Sequence, residues 1–291
     1  MQLPLVFMDG PWRMTMGLRA LEPGQWLWRD RHHAQEIARR RQLVAQCRDE
    51  VVAMEPGSED ACHELLALVR HELAAFHRSP AAAGPDEAAP LAVLGGLVQE
   101  DFCLLQRDPA GAYVLRAGIL CFPLHWRLRD KLNLPLRAIH GPVPGFAGKL
   151  GDPADRFMAA LGAERPVWRA NWTFTEKPDL HQPGRRTVDP LLDSTNAGQR
   201  LWLRVERQTL RRLPASGAVA FGIRSLVRPL HEIAAEPGVA AALAARLREM
   251  EPGMAAYKGI PPMRGALLAW LDRAAADAAV RPADEDAAAG R

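Results

Sequence analysis

Lysine and cysteine are both scarce in this chain of 291 residues. There are 4 Lys against 33 Arg, and only four cysteines, at positions 47, 62, 103 and 121, with no Cys-x-x-Cys pair. The wide spacing excludes the common structural zinc patterns and gives no support for a cysteine-ligated iron–sulfur cluster in this chain. It also argues against a disulfide framework. We therefore expect reduced, mostly buried thiols and a cytoplasmic protein.

Long apolar runs and a strong net charge are missing as well. No stretch approaches the roughly 18 to 20 apolar residues of a membrane helix, and the first residues lack the pattern of a signal peptide. The formal net charge of +3 is too small for a dedicated nucleic-acid binder. No glycine-rich phosphate motif follows a predicted strand, which argues against Rossmann and P-loop nucleotide sites. A content of 48% hydrophobic and 24% charged residues is typical of a globular protein.

Hydrophobic spacing predicts helices at both ends of the chain and strands between them. The predicted helices span 29–52, 59–76, 125–132, 153–161, 231–250 and 254–273. The predicted strands span 97–106, 113–122, 167–175, 201–210 and 218–227, and hairpins or long loops join them, which favours an antiparallel α+β sheet. We divide the chain into an N-terminal arm with helices at 1–90, ending in a linker at 79–90, a sheet domain with closing helices at 91–275, and a flexible tail at 276–291.

One histidine lies in a proline-rich segment, Ile-His-Gly-Pro-Val-Pro-Gly at 139–145. The prolines restrict the backbone and push the residues before them toward extended conformations. We therefore expect an extended segment that holds His140 in a defined orientation, as a metal ligand requires. The alternative is an ordinary histidine that caps a helix or is hydrogen-bonded in a turn.

Two predicted strands carry polar side chains in an unusual density. In the strand at 167–175, alternation puts Arg169 and Asn171 on one face and Trp168 and Trp172 on the other. The run at 203–216 has six charged or amide-bearing residues, many for a strand inside a sheet. It is either an exposed edge strand with an ion-pair ladder or a polar pocket wall, in which arginines bind ligand carboxylates.

These segments together resemble a known family. Ile-His-x-Pro-Val-Pro, Arg-x-Asn-Trp and Leu-Arg-x-Glu-Arg-Gln-Thr-Leu-x-Arg-Leu-Pro-x-Ser, in this order, are similar to the alpha-subunit family of heme-dependent oxidative N-demethylase. Tyr-Lys-Gly at 257–259 is also similar, and the resemblance extends from about residue 3 to 271. It implies a PAS-like antiparallel sheet of about five strands, flanked by N-terminal and C-terminal helices, that holds heme b. It further implies that O2 oxidises a small methylated amine such as dimethylamine, with release of formaldehyde.

The resemblance also implies roles for single residues. His140 is expected to be the axial ligand of the heme iron, with His125 as the second candidate. Glu206 is expected to hold the substrate ammonium or to relay protons. Four arginines are expected to contact the heme propionates or to line the polar pocket: Arg169, Arg204, Arg207 and Arg224.

The electrons must come from elsewhere if this resemblance holds. Because the chain has no flavin, nicotinamide or cysteine-cluster signature, NADPH, FMN and an iron–sulfur cluster are expected only on a partner reductase subunit. Two alternatives are a non-catalytic PAS-type sensor of heme or a small ligand, and a protein that keeps the fold without heme.

The other candidate groups receive simpler interpretations. Four histidines, at 32, 33, 71 and 77, are expected to be solvated, and a thiolate ligand at Cys121 is less favoured than a core thiol. The run of arginines at 39–41 is interpreted as a solvated helix face, or as a docking surface for the reductase.

Overall fold

The computed structural model describes residues 3–77, 89–187 and 189–280. Most of the predicted linker at 79–90, and the predicted tail from residue 281 onward, therefore lie outside the described residues. The predicted division into domains stays a prediction.

Seven strands form one antiparallel sheet. They are β1 (Arg19–Ala20), β2 (Val52–Met54), β3 (Asp101–Arg107), β4 (Tyr113–Ile119), β5 (Val167–Thr175), β6 (Trp202–Arg212) and β7 (Val219–Pro229). The order across the sheet is β1-β5-β6-β7-β3-β4-β2. The five long strands correspond to the predicted ones, whereas the short β1 and β2 were not predicted. Because β6 lies between β5 and β7, the prediction of an exposed edge strand at 203–216 is wrong.

Eleven α-helical segments connect and cover these strands in the described part of the chain. The first seven are α1 (His33–Gln46), α2 (Arg48–Val51), α3 (Glu59–Phe76), α4 (Pro90–Gly95), α5 (Leu136–Ile139), α6 (Gly151–Ala160) and α7 (Ala197–Arg200). The last four are α8 (Leu230–Ala234), α9 (Val239–Glu249), α10 (Pro252–Tyr257) and α11 (Arg264–Val280). None of these helices is long and apolar enough to cross a membrane.

The two faces of the sheet are covered by different parts of the chain. One face, which we call the helix face, packs against the N-terminal arm with α1, α3 and α4 around Phe102, and against α8 to α11 around Phe174. The other face packs against the segment 120–161, which joins β4 to β5. We call this second face the crossing face, because the segment crosses over it from one edge of the sheet to the other.

Two predicted helices are interrupted by a residue whose backbone leaves the helical region. The predicted helix at 29–52 stops at Gln46, since Cys47 leaves the helical region with φ −141° and ψ 46°. The predicted helix at 231–250 is divided by Gly238, which has a positive φ of 74° that favours glycine. By contrast, α3 and β5 have the predicted bounds.

Two predictions in the crossing segment are wrong. Instead of a helix at 125–132 there is only a short 3-10 turn at Arg129–Lys131, because His125 adopts a left-handed φ of 61°. Instead of an extended segment at 139–145, α5 ends at Ile139 and His140 forms its C-cap with φ −94° and ψ 4°. Turns follow, and then a five-residue π-helix at Phe146–Leu150.

Candidate functional site

A polar strip runs across β5 and β6 on the crossing face. Asn171 of β5 lies directly opposite Glu206 of β6, and Arg169 lies opposite Gln208. Since side chains two residues apart share a face, all four point to the same side of the sheet. Trp172 packs on the helix face instead, and the predicted alternation along β5 is confirmed.

His140 stands at the edge of this strip, and its ring is fixed on both sides. Its Nδ1 lies 2.9 Å from the carbonyl oxygen of Leu136, one helical turn earlier, and its ring stacks on Phe146 with centroids 4.6 Å apart. Because a carbonyl oxygen only accepts, Nδ1 carries the proton and Nε2 keeps its lone pair. No described residue bonds Nε2, so this nitrogen can serve as a ligand atom.

The surroundings of His140 also keep the imidazole neutral. Burial lowers its pKa below the ordinary 6.5, and the positive charges of Arg169 and Lys131 act in the same direction, against the hydrogen bond to Leu136. A neutral imidazole is the form that binds metal. His140 caps a helix, as in the alternative interpretation, and the backbone around it is helical rather than extended. Its role as a metal ligand stays a prediction.

Arg169 is the arginine of the strip whose guanidinium has no hydrogen-bond or ion-pair partner among the described residues. Its Nε is buried and has no partner among the described residues. Burial lowers its pKa, and the nearby Glu206 partly offsets this effect. A desolvated guanidinium without a partner is costly, and a carboxylate ligand that accepts bidentately would satisfy it.

Glu206 is surrounded by donors and cations. Its Oε1 lies 3.4 Å from Nε of Arg204, and its Oε2 accepts a hydrogen bond of 3.2 Å from Gln208. Arg204 is fully buried and its other nitrogens donate to the carbonyl oxygens of Phe122 and Leu180 and to the hydroxyl of Ser225. Glu206 therefore faces more positive than negative charge, which favours a role in proton relay over one in binding an ammonium ion.

Lys258 completes the strip from the C-terminal side of the chain. Its Nζ donates to Asn171 Oδ1 at 2.8 Å and to the carbonyl oxygen of Trp172 at 2.6 Å. Burial lowers the pKa of Lys258 to about 8, and Glu206 opposes this shift. The sequence comparison placed Lys258 in a similar segment but gave it no role. The one feature of the sequence that could have drawn attention to Lys258 is the scarcity of lysine in this chain.

Like His140, His125 has its Nδ1 held by a backbone carbonyl, but its Nε2 is enclosed by the protein. Its Nδ1 lies 2.9 Å from the carbonyl oxygen of Gly184, and its Nε2 is buried without a partner among the described residues. Burial lowers its pKa, and Arg186 and Arg204 contribute. It lines a cleft of about 210 Å³ together with polar residues that include Glu176 and Gln182. This volume is below the roughly 300–1,000 Å³ of most ligand pockets, so the cleft is small for a porphyrin.

Arg207 and Arg224 lie on the helix face, away from this strip. Arg207 donates to the carbonyl oxygens of Gln25 and Trp26, and its guanidinium lies 4.6 Å from the ring centroid of Trp28. Burial lowers the pKa of Arg207 to about 10. Their position opposite each other on β6 and β7 brings these two arginines together, but not with His140 or Glu206.

Arg224 is bound to the same N-terminal region. It forms ion pairs with Asp30 at 2.7 Å and Glu36 at 2.9 Å, and it is fully buried. Both guanidiniums on the helix face therefore hold the N-terminal arm and α1 on the sheet. Nε of Arg224 has no partner among the described residues, but the terminal nitrogens of both arginines are engaged on the helix face.

Two further predictions about single residues are settled by burial. Arg40 is not solvated, because it is fully buried and bound to Asp101 at 2.5 Å, so only Arg39 and Arg41 remain exposed. Cys121 is a buried thiol, and burial raises its pKa to about 12. A thiol with such a pKa is a poor source of a thiolate ligand, and the prediction of a core thiol is confirmed.

Fold and site together define an α+β protein with an antiparallel sheet that presents a preorganised histidine and an unpaired guanidinium on one face. A family model described as "Haem-dependent oxidative N-demethylase, alpha subunit-like" matches residues 17–79 and 75–268. The match covers most of the chain, and the chain belongs to this family.

Proposed function

We propose that this chain is a heme-binding subunit that oxidatively demethylates a small methylated amine of the dimethylamine type with O2. We further infer that it receives electrons from a partner reductase subunit that carries FMN and an iron–sulfur cluster and uses NADPH. The observation that carries the proposal is His140, whose Nε2 lone pair is free while Nδ1 is anchored to Leu136. Family membership supports heme as the cofactor and a multi-subunit assembly.

The residues of the crossing face fit a heme. A neutral imidazole with a fixed ring is a common ligand of heme iron, and His140 would provide one. The unsatisfied Nε of Arg169 suits the carboxylate of a propionate, which pairs bidentately with a guanidinium. Arg204 suits a propionate less well, since both of its terminal nitrogens are engaged with Phe122, Leu180 and Ser225, and its Nε lies 3.4 Å from Glu206. His140 is favoured over His125 as the ligand because Nε2 of His125 is buried beside a small cleft.

When bound, heme b supplies the reductive activation of O2 and the oxidation of the N-methyl group. The balanced change converts the amine, O2, two electrons and two protons into a carbinolamine and water. The carbinolamine then breaks its C–N bond to give formaldehyde and the demethylated amine. The chain's own residues orient the reactants, exclude water and move protons. We assign the last task to Glu206, and its proximity to Arg169, Lys258 and Arg204 in the middle of the strip supports this assignment.

We also infer a PAS-like arrangement for the sheet. Among the five long strands, the first and the last along the chain, β3 and β7, are neighbours in the middle of the sheet. The segment between the second and third of them carries α5, α6 and His140 across one face. This arrangement supports the interpretation that the cofactor lies between the crossing segment and the sheet.

Titration of the purified protein with hemin, followed by absorption spectroscopy, tests the proposal. We expect one heme per chain in the wild type and loss of the histidine-ligated Soret band in His140→Ala. The matched control is His125→Ala, which we expect to keep the band. The opposite result, with the band lost only in His125→Ala, would make His125 the ligand.

Turnover then separates an enzyme from a sensor. With the reductase, NADPH and dimethylamine, we expect one formaldehyde for each NADPH consumed. If heme binds but no methylated amine yields formaldehyde, a non-catalytic sensor becomes the better explanation. If no heme binds at all, the chain has kept the fold without the cofactor.

A further inference from the structure

Lys258 is held rigidly at the site by the turn that follows α10. Gly259 has a positive φ of 68°, and a Cβ at this position would lie 2.5 Å from Nε of Arg186, so glycine is required there. The hydroxyl of Thr173 donates to the carbonyl oxygen of Lys258 at 3.4 Å. The lysine backbone is therefore pinned against β5.

The hydrogen bonds of Nζ leave one proton without an acceptor. An ammonium group has three N–H donors. Two of them go to Asn171 Oδ1 at 2.8 Å and to the carbonyl oxygen of Trp172 at 2.6 Å, and no third acceptor occurs among the described residues. A neutral amine has two N–H donors and keeps both hydrogen bonds. Lys258 can thus release a proton without losing either of its partners.

We propose that Lys258 donates protons to the reduction of O2 at this site and is reprotonated from solvent. The inference rests on the proposed function, in which O2 takes up two electrons from the reductase and two protons. In each transfer an Nζ–H bond breaks, its electron pair stays on nitrogen, and the proton passes to the oxygen that is being reduced. A proton from solvent then restores the ammonium.

The charges around Lys258 suit this role. Burial is the main cause that lowers its pKa from 10.5 to about 8, the positive charges of Arg169 and Arg186 add to the shift, and Glu206 opposes it. Tyr257 is the other titratable neighbour. About half of its surface is exposed, but partial desolvation and the charge of Glu206 still raise its pKa. A proton donor is most effective when its pKa lies near the working pH, and an ordinary lysine would hold its proton too tightly.

The pH dependence of kcat tests the proposal in the heme-loaded enzyme with its reductase. We expect the wild-type kcat to fall as the pH rises through about 8. Lys258→Met should lower kcat about a hundredfold, the low end of general acid effects, while the Soret band is retained. Lys258→Arg keeps the charge but does not release its proton, so it should not restore the rate. Lys149→Met, which removes an exposed lysine paired with Glu251, is the control for loss of a lysine.

A second readout needs neither heme nor reductase. Because the chain has only 4 lysines, 13C NMR of the lysine Cε atoms can follow each of them in the apo protein. We expect one signal to titrate near pH 8, to disappear in Lys258→Met, and to titrate at lower pH in Glu206→Gln. A midpoint near 10.5 for Lys258 overturns the proposal.

The outcomes separate this inference from the proposed function. If the wild type releases formaldehyde and Lys258→Met keeps its rate and pH profile, the proton-donor role is wrong while the demethylase function stands. If Lys258→Arg restores the rate, the residue acts through its charge and not as a donor. If the heme-loaded wild type releases no formaldehyde, the proposed function fails and this inference fails with it, whatever the NMR titration gives.

Discussion

On the helix face of the sheet, Arg207 and Arg224 donate to backbone carbonyls and carboxylates of the N-terminal arm and α1. On the crossing face, Arg169 is also largely enclosed, but its Nε has no partner among the described residues. The three arginines lie within two positions of one another on neighbouring strands. Nε of Arg224 also lacks a partner, but both of its terminal nitrogens are engaged, whereas no nitrogen of the Arg169 guanidinium has a partner among the described residues. Engaged terminal nitrogens indicate a structural role, and a guanidinium without any partner indicates a ligand.

The largest effect on stability is expected for Arg40, because all three nitrogens of its guanidinium have partners. Arg40→Met should lower the free energy of unfolding by about 3–5 kcal/mol, because it leaves the buried carboxylate of Asp101 without its counterion. Urea denaturation followed by circular dichroism measures this change. A loss of unfolding free energy below 1 kcal/mol would contradict the structural role of Arg40.

A matched pair of substitutions sharpens the difference between the two faces. Arg169→Met should weaken heme binding roughly ten- to hundredfold, as expected for one charge-assisted hydrogen bond of about 1.5–3 kcal/mol, and should leave the denaturation midpoint nearly unchanged. Arg207→Met should do the reverse, because it leaves the buried carbonyl groups of Gln25 and Trp26 without donors. Hemin titration measures the heme affinity of both variants, and urea denaturation measures their stability. Equal effects of the two substitutions on heme affinity would remove the distinction between the faces.

The smallest expected effect concerns a carboxyl group on the helix face. Burial raises the pKa of Glu100 above its ordinary 4.5, although Arg224 and Arg207 oppose the shift. The folded state then binds more protons than the unfolded state above pH 4.5, so the free energy of unfolding falls as the pH rises through the raised pKa.

Glu100→Gln should abolish this decline, because the amide stays neutral and its oxygen can still accept from the backbone N–H of Trp28. The variant should therefore be more stable than the wild type at pH 7, and the two should converge toward pH 4. Urea midpoints measured between pH 4 and 8 check the sign. A difference that is independent of pH would show that Glu100 is not the group responsible.

Strong periodicity made part of the fold predictable. The apolar stripe of α3 and the alternation along β5 gave the right bounds, and the face shared by Arg169 and Asn171 followed from alternation alone. The run at 204–212 was different. Alternation puts Arg204 and Arg207 on opposite sides, but the run carries polar residues on both of its faces, so no apolar face indicated which side belongs to the site.

Other parts of the site are formed by contacts between residues far apart in the chain, which local sequence patterns cannot predict. The left-handed backbone of His125 depends on its contacts with Gln182 and Gly184, more than 50 residues away in the chain. The contact of Lys258 with Asn171 likewise joins distant segments. The predicted run of solvated arginines failed at Arg40, because its carboxylate partner lies on β3.

The pairing of β3 with β7 has a consequence for the order of assembly. It joins residues 101–105 to residues 219–223, so the central ladder of the sheet cannot close until β7 has left the ribosome. Before then, the hairpin of β3 and β4 and the hairpin of β5 and β6 are separate pieces with exposed edges. Closure of so long a loop is a slow step in folding. The crossing face is complete only after this closure, so under the proposed function heme is bound after β7 has been synthesised.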